Sequence, residues 1–202
     1  SKKFIQNAWK NFFIEIRQKN IVAGILRFHP IFCNHKYAEN NKEISLENLR
    51  KTVCLKIDNH LNLQDIYSLK TKKKLLKAKK NGIKISKLSS LQDIKLFSKL
   101  YFATMKKKQA NLAYFFHKDY FKLMFKYFKN NILIYLAYKN NELCGGLIGF
   151  KYENFVHVHL SANNNLGLKY GSAYLLREKI ISDNFFHGIT IHFGGGLTND
   201  PQ

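Results

Sequence analysis

Proline is almost missing from this chain: 2 of 202 residues. With 46% hydrophobic residues, that excludes a disordered polypeptide and leaves a folded one, long enough for one good-sized core or two small lobes. Cysteine is scarce as well. Cys33, Cys54 and Cys144 are odd in number and far apart, in no zinc spacing and no disulfide framework, which predicts a reducing compartment. No apolar run approaches the length of a membrane span, and no secretion signal opens the chain, although a start at Ser1 without methionine suits a trimmed sequence. The expected location is cytoplasmic, with the anionic inner-membrane surface as a peripheral alternative. Acidic residues are few: 13 Asp and Glu against 34 Lys and Arg leave a formal charge of +21. Such an excess suits an anionic partner, whether nucleic acid, an acidic membrane surface or phosphorylated substrates. The codon bias of an AT-rich genome enriches Lys, Asn, Ile and Phe and produces the same composition, so charge alone does not decide.

What is present is organised around residues 154–196. NFVHVHLS alternates: Val156, Val158 and Leu160 share one expected face, and Phe155, His157, His159 and Ser161 the other. A polar loop, NNNLGLKYGS, follows with Gly167 and Gly171. Ser172 to Ser182 then has helical spacing at Ala173, Leu176, Ile180 and Ile181. In ITIHF, Ile189, Ile191 and Phe193 alternate with Thr190 and His192. Two strands joined by a helix should lie parallel through a right-handed crossover, with ligands beyond their carboxyl ends. His159, Ser161, the loop and His192 then point to one place. The free N–H groups at the helix start suit a phosphate. Glycines that only shape a turn fit the same spacing.

The rest of the chain frames that unit. Residues 1–19 read as an amphipathic helix with Phe4, Ile5, Ala8, Trp9, Phe12, Phe13 and Ile16 on one stripe. Ile21–Phe28 reads as a strand stopped by Pro30, with Arg27 and His29 as candidate anion ligands or a strand-end ion pair and cap. Thr52–Asp58 is a short strand. Residues 63–81 form an expected helix with seven lysines between Lys70 and Lys80, and Ile66, Leu69, Leu76 and Ala78 on its apolar side. That helix is a solvated surface or a phosphate dock. Ile83–Leu88 is a strand. Helices are expected over 90–109 and from Lys118 to Lys129, with their aromatics in the core. A hairpin turns at Asn140-Asn141, and Gly145, Gly146 and Gly149 mark a bulge or a close approach. The expected division is a partial N-terminal lobe over 1–60 and a core over 61–202.

RFHP (Arg27 to Pro30), KKLLKAKKNGIKI (Lys73 to Ile85), VHVHLSA (Val156 to Ala162) and IHFGGG (Ile191 to Gly196) fall, in this order, as in FemAB-like acyltransferases of the GNAT superfamily, which the chain resembles from Ile21 onward. The resemblance implies an α/β (α+β) fold: a GNAT-like mixed sheet whose antiparallel meander leads into a β-α-β crossover, with helices on both faces. Phe193 departs from the leucine usual in that family. The chain stops soon after the triple glycine, at Gln202, so a truncated C-terminus is expected. The two-helix arm of some FemA-type ligases has no counterpart.

The resemblance also implies an enzyme, a transferase that moves an acyl group from acetyl-CoA or another acyl-CoA to an amine, without a metal. The acceptor would be a small-molecule or a lipid- or nucleotide-linked amine, such as a cell-surface glycan precursor. Leu168, Lys169, Tyr170, Gly171, Ser172 and Ala173 would hold the donor phosphates, and an N–H near Leu160 or Ser161 the carbonyl oxygen. His159 is the first candidate base, His192 the second, and Tyr114 the candidate acid. Arg27, His29 and His157 would meet the acceptor. Positioning without a dedicated base would also serve. His157 and His159 have the spacing of a metal pair, but no carboxylate or cysteine nearby completes such a site. Two other readings stay open: an aminoacyl-tRNA-dependent, FemX-like transferase of peptidoglycan bridge synthesis, and a non-enzymatic module that binds polyanions.

Overall fold

The computed structural model describes residues 2–49, 51–117 and 119–195. Gly196 of the triple glycine and Lys118, the expected start of a helix, therefore lie outside the described residues. Two compact units divide the chain between Lys51 and Thr52. The expected boundary at residue 60 is too late, because the strand after Thr52 belongs to the sheet of the second unit.

In the N-terminal unit, helix α1 (Lys2–Gln18) forms as its apolar stripe predicts, yet none of its residues is buried. Trp9 packs on Phe12 and Phe13 and donates from Nε1 to the Tyr37 carbonyl at 2.7 Å. Arg17 pairs with Glu43. The expected strand Ile21–Phe28 is not one: the segment is irregular, with Val22 wholly exposed and Ile25 at 88%. Its β-branched residues have the propensity, but a strand needs a neighbouring strand, and none pairs with it among the described residues.

The second unit is a six-stranded sheet in the order β1-β6-β5-β4-β3-β2. The strands are β1 (Val53–Lys56), β2 (Ile83–Leu88), β3 (Ile132–Lys139), β4 (Glu142–Tyr152), β5 (Phe155–Asn163) and β6 (Thr190–Gly194). All neighbours are antiparallel except β5 and β6. Asn140 and Asn141, both left-handed at φ 49° and 63°, make the two-residue turn of the β3–β4 hairpin. Helices α2 (Leu69–Lys80) and α6 (Ser172–Ser182) cover one face, over Tyr135, Leu147, Val156 and Ile191. Helices α3 (Leu91–Lys107) and α4 (Tyr120–Phe128) cover the other, over Ile134, Leu136 and Ile148. The fold is the mixed sheet expected from the sequence, an antiparallel meander that leads into a β-α-β crossover with helices on both faces.

Two helices differ from their sequence reading. α2 starts at residue 69, not 63, because the Ser68 side chain caps the Thr71 N–H. It buries Leu75 and Ala78, while Leu69 and Leu76, expected inside, stand 78% and 57% exposed. Lysines around the whole helix left its apolar side ambiguous in sequence. The expected loop 163–172 is mostly helical: α5 (Asn165–Tyr170) precedes α6, and left-handed Gly171, φ 80°, joins them. Gly167 makes α5 possible. A Cβ there would lie 2.1 Å from the Cys144 carbonyl oxygen.

Candidate active site

Parallel pairing between β5 and β6 lasts for three residues. Phe155, Val156 and His157 face Thr190, Ile191 and His192, but β5 continues to Asn163. From Val158 onward no strand pairs with its β6-side edge among the described residues, and in that sense the edge is open. A bulge contributes. Ile148 of β4 faces Leu160 and Gly149 faces Val158, so His159 is an extra residue. The extra residue changes which side chains share a face. Val158 packs with Val156 in the α6-side core, whereas Leu160 and Ala162 join the α3-side core. The expected common face for Val156, Val158 and Leu160 therefore breaks at His159.

The same bulge sets the backbone. The Asn164 N–H donates to the Cys144 carbonyl on β4 at 3.1 Å. Counting back along a strand whose main-chain groups alternate in direction, Ala162 and Leu160 also turn toward β4. Ser161 and Asn163 thus direct their N–H and C=O groups at the open edge. Thr104 Oγ1 of α3 meets the Asn163 carbonyl there at 3.4 Å.

A cleft of about 170 Å³ lies along this edge. Val158, Ser161 and Asn163 form its strand wall, Leu168, Ala173, Leu176 and Arg177 its α5–α6 wall, and Thr104 and Lys108 its α3 wall. Its charged lining residues, Lys108 and Arg177, are both cations and both exposed. No side chain caps the start of α6, so the positive end of its dipole adjoins Ala173 in the cleft. The start of α5 is occupied instead: Asn164 Oδ1 accepts the Gly167 N–H at 2.9 Å.

Of the expected donor ligands, Ser161, Leu168 and Ala173 line this cleft. Leu160, Lys169, Tyr170, Gly171 and Ser172 are not on its walls. The Gly171 N–H already donates to the Gly167 carbonyl at 2.8 Å. Ser172 is buried and donates to Asn163 Oδ1 at 2.6 Å. The Lys169 ammonium sits 5.2 Å from the centre of the Tyr170 ring.

The candidate acid–base residues also lie off the cleft walls. His159 points to the α4 side, where its Nε2 is 2.6 Å from the Tyr120 hydroxyl. Burial lowers the His159 pKa below its ordinary 6.5 and raises that of Tyr120. His157 and His192 stack at 5.0 Å, with Nδ1 atoms 2.9 Å apart, so one ring donates and the other accepts. Tyr114 sits in a 3₁₀ turn (Leu112–Tyr114), 42% exposed, and its carbonyl accepts from the Tyr101 hydroxyl. Arg27 and His29 belong to the N-terminal unit. Arg27 is exposed, and the His29 N–H donates to Asn34 Oδ1 at 2.8 Å.

Sequence reading missed Thr104, Lys108, Asn163 and Arg177. Arg177 had a local signal, since it falls four residues after Ala173 on one helical face. Thr104 and Lys108 had none. They reach the cleft only because α3 crosses β5.

The FemAB family model matches residues 27–143 of this chain, more than half of it. That span carries β1 to β3 and the α3 wall of the cleft; β5 and α6 lie beyond it. No curated protein matches the sequence. Among solved structures, FemX has the same fold, at 13% identity and a TM-score of 0.60, over 75% of this chain and 54% of FemX. The C-terminal domain (DUF2156) of a putative lysylphosphatidylglycerol synthetase from Agrobacterium fabrum is similar at 10% identity and a TM-score of 0.51, over 71% and 48% of the two chains. The chain thus spans about half the length of each. The family match, over more than half of the chain, defines the class: the chain belongs to the FemAB family.

Proposed function

We propose that the open edge of β5 receives the ester end of an aminoacyl-tRNA and that the aminoacyl group passes to an amine of a peptidoglycan precursor. The observation that carries this reading is the end of β5–β6 pairing at His157 and His192 among the described residues, beside Lys108 and Arg177. The exposed Ser161 N–H, aimed at the edge, would hold the ester carbonyl and stabilise its oxygen as charge develops. Lys108, Arg177 and the start of α6 would hold the nearby backbone phosphates. The amine nitrogen attacks the carbonyl carbon, the ester C–O bond breaks, and the ribose hydroxyl leaves with a proton. The Tyr120–His159 pair, off the cleft walls on the α4 side, is the proposed acceptor of the amine's proton for an amine that approaches from that side: neutral His159 can take one at Nε2 through the phenol. His157, Arg27 and His29 stay proposed acceptor ligands.

The choice of tRNA over acyl-CoA rests on α5. A pyrophosphate cradle of loop amides is replaced here by a helical turn whose Gly167 and Gly171 N–H groups are already bonded. The charge of +21 and the exposed lysines of α2 favour a large polyanion. Acyl-CoA remains the second reading, because a parallel pair that opens beside a helix start also suits a pantetheine arm.

Binding of uncharged tRNA and of acetyl-CoA, each across a salt series, separates the two. tRNA should bind, weakening steeply with salt, and Lys108→Ala with Arg177→Ala should reduce the slope of log K against log salt by about 2. Acetyl-CoA binding that raises the melting temperature, with no tRNA binding, would reverse the choice.

A further inference from the structure

We infer that the stretch from the end of α3 through α4 is a docking surface for an anionic lipid bilayer. Residues 106–129 contain seven lysines and one carboxylate, Asp119. The same stretch exposes large apolar side chains. Leu112 is 84% exposed, Tyr127 70% and Leu123 45%. On α4 the division is clean: Phe121 and Met124 are buried, while Lys122, Leu123, Lys126 and Tyr127 face solvent. The Lys126 ammonium lies 5.3 Å from the centre of the Tyr127 ring.

This surface is held in place. Phe116 stacks on Tyr120 at 4.2 Å and on Tyr101 at 5.7 Å, and the Tyr101 hydroxyl donates to the Tyr114 carbonyl. The exposed leucines and tyrosines therefore ride on a packed frame.

The chemistry selects the partner. Lysines alone would suit RNA, but Leu112 and Leu123 gain nothing from phosphates. A second copy would bring a like-charged surface against this one. An anionic bilayer answers both features: its headgroups attract the lysines, and its interface takes up leucine and tyrosine side chains. Lys108 lines the cleft, and Leu112 follows four residues later, no more than about 14 Å of chain away. A lipid-borne acceptor would thus be delivered beside the donor site. The inference stands on exposure and charge and holds whichever donor is used.

The test is sedimentation of the full chain with phosphatidylcholine vesicles, with and without phosphatidylglycerol. The anionic vesicles should bind about tenfold tighter or more. Leu112→Ser with Tyr127→Ser, and separately Lys122→Glu with Lys126→Glu, should each weaken that binding about tenfold, with melting temperature and donor binding unchanged. No preference for anionic vesicles, or equal binding by both variant pairs, would overturn the inference. So would a surface that RNA binding depends on equally, or a change in oligomeric state on mutating the apolar pair. Loss of donor binding with intact vesicle binding would count against the proposed transferase alone.

Discussion

Tyr120 and His159 join helix to sheet through one short contact, 2.6 Å between the phenol oxygen and imidazole Nε2. The bulge at His159 makes it possible, by adding a residue to β5 opposite β4 and turning the imidazole to the α4 side. Burial favours the neutral form of both groups. If the pair relays the amine's proton, Tyr120→Phe should lower kcat by about a hundredfold with KM little changed, and should alter the acid limb of the pH–rate profile. A tyrosine with only a packing role would leave that profile as it is.

The depressed pKa of His159 has a consequence for stability. The unfolded chain takes up its proton as pH falls through the ordinary value of 6.5, while the folded chain resists until lower pH. More protons are then bound by the unfolded state, so stability is full above 6.5 and falls as pH drops below it, levelling off under the folded pKa. Urea melts at pH 8 and pH 5 should show the wild type losing more than His159→Gln. Equal losses would show that His159 is not held neutral.

Gly167 and Gly171 should respond differently to alanine. At Gly167 a Cβ meets a backbone carbonyl oxygen at 2.1 Å and Ser172 Oγ at 2.6 Å, and the backbone cannot swing aside. Gly167→Ala should cost the more, about 3 kcal/mol or above. At Gly171 the nearest atoms are 3.6 Å away, and the cost is that of a left-handed alanine, about 1–2 kcal/mol. Urea denaturation of the two variants gives the comparison; equal costs would mean that α5 does not pack on Cys144 as described.

Much of the sheet was legible because its signals are local. β2 and the meander lie where strands are expected, and the Asn140-Asn141 pair marks the hairpin turn. The errors have physical causes. A bulge leaves no mark in VHVHLS, so the two sides of β5 could not be sorted beyond Val158. Asn164 acts as a cap, which turns an apparent phosphate loop into α5. Ile21–Phe28 has strand propensity without a partner. Lys108 and Thr104 enter the cleft through tertiary packing, which no local pattern encodes.

The proposed donor site is the edge of β5 that no described strand covers, and not a loop before α6. It can be tested by amide chemical shifts of the labelled chain, followed as tRNA or its aminoacylated 3′ terminal fragment is added. The Ser161 and Asn163 N–H resonances should move together with those of Lys108 and Arg177, and saturate at one affinity. Shifts confined to residues 165–170, with Ser161 and Asn163 unmoved, would contradict the account.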